Sequence, residues 1–353
     1  MRILQVITLC ELGGAQAVMA NIANNLSEEH EIIVAAGEGD GKMWMMLNPN
    51  INQEHCKHLK RALSPFCDLC TIYDFWRLYW KYKPDIIHLH SSKAGMLGRI
   101  AFPARKIVYT VHGFDSIRLA HRTFLWLERM MQWRCKFIAA VSKYDKKNLL
   151  NENIKHKVTT VYNGNPIPKI EPNLTFNIPS KYQKTILCIA RIGEQKNSAI
   201  FLELASMLPQ YAFVWIGNQT EVKDHPDNVF FMGNIPNAAM YNSIADLFIL
   251  PSNYEGLPIV IIEAMSLGKP IVASDVGGVS ELVRNGVNGF VVENQAVEFA
   301  EKINYILNNE EVMRTFSENS KRIYAEEFTV DRMVNIYKEM YNKIRSSKHS
   351  TGL

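Results

Sequence analysis

The chain has 353 residues, of which 47% are hydrophobic and 21% charged, enough apolar material for a packed core and too much for a disordered chain. At roughly 100–200 residues per domain the length predicts two domains, and no apolar run reaches the ~18–20 residues of a membrane span. The formal net charge of +4 hides an asymmetry: residues 1–165 carry 22 Lys/Arg against 14 Asp/Glu (net +8), the remainder 17 against 21 (net −4). Residues 76–147 alone carry 15 basic against 4 acidic side chains, a balance that predicts an anionic partner for the first half.

The N-terminus reads MRILQVITLCELGG. Its apolar stretch is cut short by Glu11 and no small-residue cleavage site follows, so it reads as a first buried strand rather than a secretory signal. ILQVI (3–7), EIIVAA (31–36), DIIHLH (85–90), KIVYTV (106–111) and FIAAV (137–141) read as strands of a buried parallel sheet. Helix-period segments such as 15–26 and 124–133 lie between them. The second half repeats the scheme with strands at 185–190, 212–217, 228–233, 247–251 and 270–275. Strand–helix alternation occurring twice predicts an α/β chain of two doubly wound parallel-sheet domains. Pro166, Pro168, Pro172 and Pro179 mark 166–180 as an extended linker, which puts the domains at 1–165 and 181–328. After Glu293 the chain reads as helical. A last helix over 330–345 carries Met333, Val334, Ile336, Tyr337, Met340, Tyr341 and Ile344 on a face that must be buried, and the tail SSKHSTGL is expected to fray. Six scattered cysteines without an export signal predict reduced thiols in a cytosolic protein.

Each half opens with strand, glycine loop and helix. Gly13 and Gly14 before the first helix form either a diphosphate cradle at a helix N-terminus or a plain tight turn, since no G-x-G-x-x-G is present. In the second half Arg191 leaves a strand end and Lys196 follows at a helix entrance. Two cations there suit phosphate, or are solvated surface charges. The segment YEGLPIVIIEAMSLGKPIVASDVGGVSE is richer. Pro258 fits a helix start and Gly268 with Pro270 its end, so Glu255 lies in the entering loop and Glu263 in the second turn. The Glu255-Gly256-Leu257-Pro258 loop can aim N–H groups at an anion, and its carboxylate can accept hydrogen bonds from sugar hydroxyls. Glu263 stands in an apolar run, where a carboxylate is costly without a partner; a ribose with two hydroxyls would be one.

His112, in TVHGF at a strand end, is a structural histidine or a site residue. His55, His58, Cys67 and Cys70 form H-x₂-H-x₈-C-x₂-C, a weak zinc signal in inverted order. The segment 117–136 mixes Arg118, Arg122, Arg129, Arg134 and Lys136 with Phe124, Trp126, Met130, Met131 and Trp133. It reads as an interfacial helix on anionic lipid or as a core helix with a basic outer face. No nucleic-acid recognition motif is present.

The E-x₇-E segment, the P-I-V-A-S-D-V-G-G-x-x-E-L-V that follows it, the Arg191/Lys196 pair and the N-terminal Gly-Gly loop together resemble retaining glycosyltransferases of family 4. The resemblance runs over essentially the whole chain. It implies the GT-B fold, two Rossmann-like domains facing a cleft, with the C-terminal helix (329–353) crossing back onto an acceptor-binding N-terminal domain. It implies a nucleotide-sugar donor, a UDP-sugar, held mainly by the C-terminal domain, and a saccharide or lipid-linked saccharide acceptor. By the same resemblance Arg191 and Lys196 contact the donor diphosphate, and Glu255 serves at the transferred sugar with His112 as the catalytic pair. Gly256, Leu257 and Pro258 line the phosphates and sugar, Glu263 binds the ribose, and Gly14 closes on the phosphate. Ser142 and Asn163 rank lower, as cleft lining. The sequence departs from the family pattern at Asn165-Pro166, after the N-G at 163–164, and at IGNQTE, which keeps only Gly217. There is no Asp-x-Asp, so no metal and no separate cofactor is expected, and cations with helix N-termini would stabilise the leaving group. The implied setting is cell-surface polysaccharide assembly, cytoplasmic, with peripheral contact to anionic membrane. Two further readings stay open: a non-catalytic sugar-nucleotide-binding protein, and a dinucleotide-dependent oxidoreductase, which lacks its glycine fingerprint.

Overall fold

The computed structural model describes residues 1–119 and 122–349, which fall into two compact units. The first comprises Met1–Gly164 with Val330–Leu353, the second Asn165–Thr329. In the first unit seven strands run parallel: β1 (Arg2–Ile7), β2 (Glu31–Ala36), β3 (Asn52–His55), β4 (Ile86–His90), β5 (Ile107–Val111), β6 (Phe137–Ala140) and β7 (Val158–Thr160). Their order is β3-β2-β1-β4-β5-β6-β7. The helices α1 (Gly14–Leu26), α2 (Pro65–Tyr82), α3 (Ser92–Ala101), α4 (Asp115–Arg118), α5 (Leu125–Met131) and α6 (Lys143–Asn151) connect them.

The second unit has six parallel strands: β8 (Thr185–Ile189), β9 (Ala212–Ile216), β10 (Val229–Phe231), β11 (Leu247–Leu250), β12 (Ile271–Ser274) and β13 (Gly289–Val292). They are ordered β10-β9-β8-β11-β12-β13. Its helices are α7 (Ser198–Met207), α8 (Ile259–Ser266), α9 (Val279–Leu282), α10 (Ala296–Leu307) and α11 (Glu310–Glu327), and α12 (Val330–His349) returns to the first unit. Each sheet is the doubly wound arrangement expected from the alternation, and β4, β5, β9 and β11 are buried end to end.

The strands missed in the sequence are edge strands. β3 reads NQEH and is mostly exposed, β7 has three residues, and β13 is a glycine followed by only three apolar residues, so none carries an apolar run as long as those of the central strands. The helix expected over 124–133 is shorter. Only Leu125–Met131 is α-helical, with tight 3₁₀ turns on both sides. Gln132 ends it: its side-chain amide donates to the carbonyls of Arg129 (2.8 Å) and Asn153 (3.1 Å) and accepts from the N–H of Lys155 (2.8 Å) and His156 (3.0 Å). The segment 117–136 is therefore not one interfacial helix among the described residues, and residues 120 and 121 lie outside them. Three of its arginines are also tied inward. Arg118 bonds Asp115 (2.8 Å), Arg129 bonds Glu152 (2.5 Å), and Arg134 bonds the Arg99 carbonyl (3.1 Å).

α12 extends past the expected 345 to His349, so residues 346–349 are helical rather than frayed, and 350–353 lie outside the described residues. Its buried face is Met333, Val334, Tyr337, Met340, Tyr341 and Ile344, packed within the first unit beside α1. Residues 166–180 contain no helix or strand. All six cysteines are free, and burial pushes the Cys56 and Cys135 thiols up to about 12. The zinc reading fails: His55 bonds the Gly37 carbonyl and His58 bonds Asp74 (2.9 Å). No group of three potential ligands gathers among the described residues.

Candidate active site

Each sheet reverses its strand order once, between β1 and β4 and between β8 and β11. Open parallel sheets bind ligands outside the carboxyl ends of the strands flanking such a reversal. In the second unit those ends lead directly into the two segments singled out above. β8 leads into Arg191 and a 3₁₀ turn at Glu194–Lys196; β11 leads into the loop 251–258.

Hydrogen bonds lace the two loops together. The Asn253 N–H donates to the Gln195 carbonyl (2.8 Å), its side-chain amide donates to the Glu194 carbonyl (2.7 Å), and Gln195 donates back to the Tyr254 carbonyl (3.1 Å). The result is a direct ion pair between Lys196 Nζ and Glu255 Oε1, which also accepts from Ser252 Oγ (2.6 Å). The Glu255 side chain is 7% exposed and that of Lys196 19%, so the pair is largely withdrawn from water and each charge depends on the other for compensation. Sequence reasoning assigned the two to different parts of a ligand; the structure makes them partners across 59 positions of chain. Arg191 is exposed at the same strand end.

A third loop supports this wall. Gly277 has φ +59°, and a Cβ there would lie 1.9 Å from the Glu255 carbonyl oxygen. The next residue, Gly278, donates its N–H to the Gly256 carbonyl (2.8 Å). The glycine pair thus lets 275–278 press backbone to backbone against 255–256. Pro258 occupies the cap position of α8 with φ −70°, its ring pre-set for the turn into the helix. Leu257 and Pro258 are buried, which fixes the loop, and Gly256 is half-buried. The first N–H groups of α8 have no partner within the helix and carry its positive dipole end.

Glu263 lies one turn along α8, half-buried. Removal from water pushes its carboxyl up to about 7, and a hydrogen bond from Asn165 Nδ2 (3.0 Å) opposes the shift. Asn165 is held for this task. Its N–H donates to the Phe328 carbonyl (3.2 Å), and its own carbonyl accepts from the Tyr324 hydroxyl (2.8 Å). The departure noted at Asn165-Pro166 thus places a carboxylate partner. Gly217, the remaining glycine of IGNQTE, has φ +114°, and a Cβ there would strike the Ala190 carbonyl oxygen at 2.5 Å.

In the first unit Gly14 opens α1, and a Cβ there would meet nothing within 4 Å, so the helix entrance is unobstructed. His112 is half-buried at the end of β5, and burial holds its imidazole down to about 4. Its Nε2 is 3.0 Å from His90 Nδ1, and His90 Nε2 is 3.1 Å from Gln5 Oε1. With Gln5 presenting its amide oxygen, His90 donates from Nε2 and accepts at Nδ1. His112 must then donate from Nε2 and keep its Nδ1 lone pair. A second chain runs beside the first: Tyr341 hydroxyl to His88 Nδ1 (2.6 Å), His88 Nε2 to Thr110 Oγ1 (2.7 Å), Thr110 to the Tyr337 hydroxyl (2.9 Å). Burial drives His88 and His90 well below the ordinary histidine value, so all three histidines are neutral.

Sequence reasoning missed His88, His90 and Gln5, although DIIHLH puts both histidines on one face of a strand and that signal was available. It also missed Ser91, which follows β4 at φ 69°, ψ 153°, a conformation that costs a non-glycine residue about 1–3 kcal/mol. Ser91 is held by its Oγ, 2.7 Å from Thr8 Oγ1 at the end of β1. Ser142 is a buried cap of α6, accepting from the Asp145 N–H (2.9 Å), and Asn163 is buried.

Comparison with known proteins gives this geometry a family. Residues 12–166 match the model of Glycosyltransferase Family 4, and residues 173–323 that of Glycosyl transferases group 1. The chain is 26% identical to the UDP-Gal:alpha-D-GlcNAc-diphosphoundecaprenol alpha-1,3-galactosyltransferase of Escherichia coli, over 94% of each chain. It is 25% identical to the O-antigen biosynthesis glycosyltransferase WbnH of the same organism, over 95% of this chain and 97% of the other. Among solved structures, Anabaena Alr3699/HepE in complex with UDP and glucose superposes with a TM-score of 0.82 at 22% identity, over 96% of this chain and 99% of that one. With both halves matched and the paired Rossmann-like architecture shared, the chain belongs to the glycosyltransferases that join a family 4 domain to a group 1 domain.

Proposed function

We propose that the chain is a retaining, metal-independent glycosyltransferase that moves a sugar from a UDP-sugar to a hydroxyl of a saccharide or lipid-linked saccharide. The setting would be polysaccharide assembly at the cytoplasmic face of a membrane. The observation that carries the reading is the Lys196–Glu255 pair at the strand-order reversal, beside Arg191 and the N-terminus of α8. A diphosphate is a stronger anion for Lys196 than one carboxylate. When it enters, Glu255 exchanges the ammonium for sugar hydroxyls. Arg191, Lys196 and the free N–H groups of α8 then face the oxygen on which charge develops. Each charge-assisted hydrogen bond contributes about 1.5–3 kcal/mol, and a few of them change a rate by several powers of ten. Such a set does the work of a divalent ion, in a sequence without Asp-x-Asp.

In this reading the acceptor oxygen bonds to the anomeric carbon as the bond from that carbon to the diphosphate oxygen breaks. Attack comes from the face the diphosphate leaves, and the acceptor proton passes to the departing phosphate oxygen. Glu263 accepts the ribose hydroxyls, with Asn165 holding its other side. From the first unit, Gly14 is assigned to the phosphate, and His112, neutral by burial, hydrogen-bonds the sugar through its lone pair. The acceptor class is supported by the names of the two relatives, the donor class by that of the galactosyltransferase.

The test is a screen of nucleotide sugars with lipid-linked saccharide acceptors, read by mass spectrometry, with and without chelator. Transfer from a UDP-sugar that survives chelation with retained anomeric configuration is expected. A strict requirement for Mn²⁺ or Mg²⁺ refutes the cation account. Binding of UDP-sugar without transfer or hydrolysis favours a binding protein, and binding of NADH instead favours an oxidoreductase.

A further inference from the structure

One face of the first sheet is polar where a buried parallel sheet has no need to be. Gln5 of β1 is paired with His88 of β4, and His90 of β4 with Thr110 of β5, so all four side chains stand on the same face. The other face of these strands carries Leu4, Val6, Ile87, Leu89, Tyr109 and Val111, all in the apolar core. Each of the four polar residues is 0% exposed. Apolar side chains would fill the same positions without desolvating two imidazoles and an amide. The desolvation is not fully offset either, because Gln5 Nε2 has no hydrogen-bond partner among the described residues. Packing alone does not account for such a layer.

The layer leads outward at His112, the one member of the Gln5–His90–His112 chain that is partly exposed. His90 is fixed from two sides. Its Nε2 lies 3.1 Å from Gln5 Oε1, and its ring lies against that of His88, centroids 4.0 Å apart. His88 is itself held by the Tyr341 hydroxyl and Thr110 Oγ1, so α12 backs the chain from behind. Because His90 gives its Nε2 proton to Gln5, its Nδ1 is bare and can only accept. That nitrogen is 3.0 Å from His112 Nε2. It bonds the His112 tautomer that carries its proton on Nε2 and sets lone pair against lone pair in the other.

We propose that His90, oriented by Gln5, is a positioning residue for sugar transfer: it holds the His112 ring with Nδ1 bare, so that His112 accepts a hydrogen bond from one hydroxyl of the transferred sugar. Positive charge grows on the sugar ring as its bond to the diphosphate breaks. The ring hydroxyls become stronger donors, and this hydrogen bond tightens on the way to the transition state. The inference deepens the transferase reading and rests on its assignment of His112 to the sugar. It also narrows the donor to a sugar with a free hydroxyl where His112 meets it, since fluorine or hydrogen there has no proton to give.

Two variants of similar size separate positioning from packing. His90→Asn puts an amide oxygen where Nδ1 stood, and His90→Leu puts a methyl group there. With the UDP-sugar that the full-length chain turns over, His90→Leu should lower kcat about ten-fold at nearly unchanged donor KM, while His90→Asn stays within about three-fold of wild type. A residue that only filled space would give the opposite order, because leucine buries no unpaired amide. The tautomer is read without any sugar, by nitrogen NMR of isotopically labelled histidine, with the His112 signals assigned by their loss in His112→Ala. A bare Nδ1 is expected in wild type and His90→Asn, and mixed tautomers in His90→Leu. If His90→Leu misfolds, Gln5→Met, which removes the amide that orients His90, should mix the tautomers in its place. When fluorine replaces the sugar hydroxyls one at a time, one position should cost wild type about ten-fold more than it costs His112→Ala. A proton on His112 Nδ1 in wild type, a tautomer unmoved in the variants, turnover in His90→Leu equal to that of His90→Asn, or no such fluorine position overturns the proposal. A wild type that turns over no nucleotide sugar overturns the transferase reading and the proposal with it, and the spectrum tells that failure from one of the histidine chain alone.

Discussion

Replacing Glu263 by glutamine isolates what it costs this fold to keep a carboxyl on α8. The ordinary value is 4.5 and burial raises it to about 7, so the folded chain holds this proton more tightly than the unfolded chain does. Below about pH 4.5 both states are protonated and the group contributes no difference. As pH rises from 4.5 to 7 the unfolded chain releases its proton first, and stability falls. Above 7 the penalty is complete. At 1.36 kcal/mol per pH unit the interval corresponds to about 3 kcal/mol. Glutamine never ionises and still offers an oxygen to Asn165 Nδ2, so Glu263→Gln removes the penalty while keeping the contact. The stability of the variant relative to wild type should therefore rise by about 3 kcal/mol between about pH 4.5 and pH 8, read by urea unfolding. UDP affinity should move the other way, because the amide is a weaker acceptor for ribose hydroxyls than an ionised carboxylate. A stability difference that stays flat within about 0.5 kcal/mol across the range would refute the argument.

Three other substitutions probe separate parts of the fold. Lys196→Ala leaves the buried Glu255 without its cation and accepting from Ser252. It should cost about 3–5 kcal/mol by chemical denaturation and abolish both UDP binding and turnover, whereas Lys196→Met/Glu255→Gln should recover the stability but not the turnover. Gly277→Ala forces φ +59° on an alanine and drives its Cβ into the Glu255 carbonyl. A drop in melting temperature together with lost UDP affinity is expected by calorimetry, and wild-type affinity would separate the glycine loop from the site. Tyr341→Phe removes the hydroxyl from buried His88 and should cost about 1–3 kcal/mol in urea unfolding, with no change if that hydrogen bond carries no weight.

The sheets were legible because a central parallel strand is buried on both faces and must be mostly apolar, as ILQVI, IVYTV and AFVWI are. Edge strands such as NQEH escape that requirement and were not legible. The helix near 124–133 had the right period, but its length was settled by Gln132 bonding to residues 153–156, which no local pattern contains. At the site, residue type and spacing placed Arg191, Lys196 and Glu255 at strand ends and helix entrances, and Glu263 in the second turn of a helix. Their partners were another matter.

What the amino-acid order determined alone was the alternation that makes two doubly wound sheets, the glycines and prolines that shape the loops, and the chemical kinds gathered at their ends. Tertiary structure alone decided that Lys196 faces Glu255, that Asn165 faces Glu263, and that His90 and Gln5 orient His112. It also decided that α2 turns its tryptophans outward. The reason is range: periodicity and turn chemistry act over a few residues, whereas a hydrogen bond or an ion pair joins whichever groups the packed chain brings within about 3 Å.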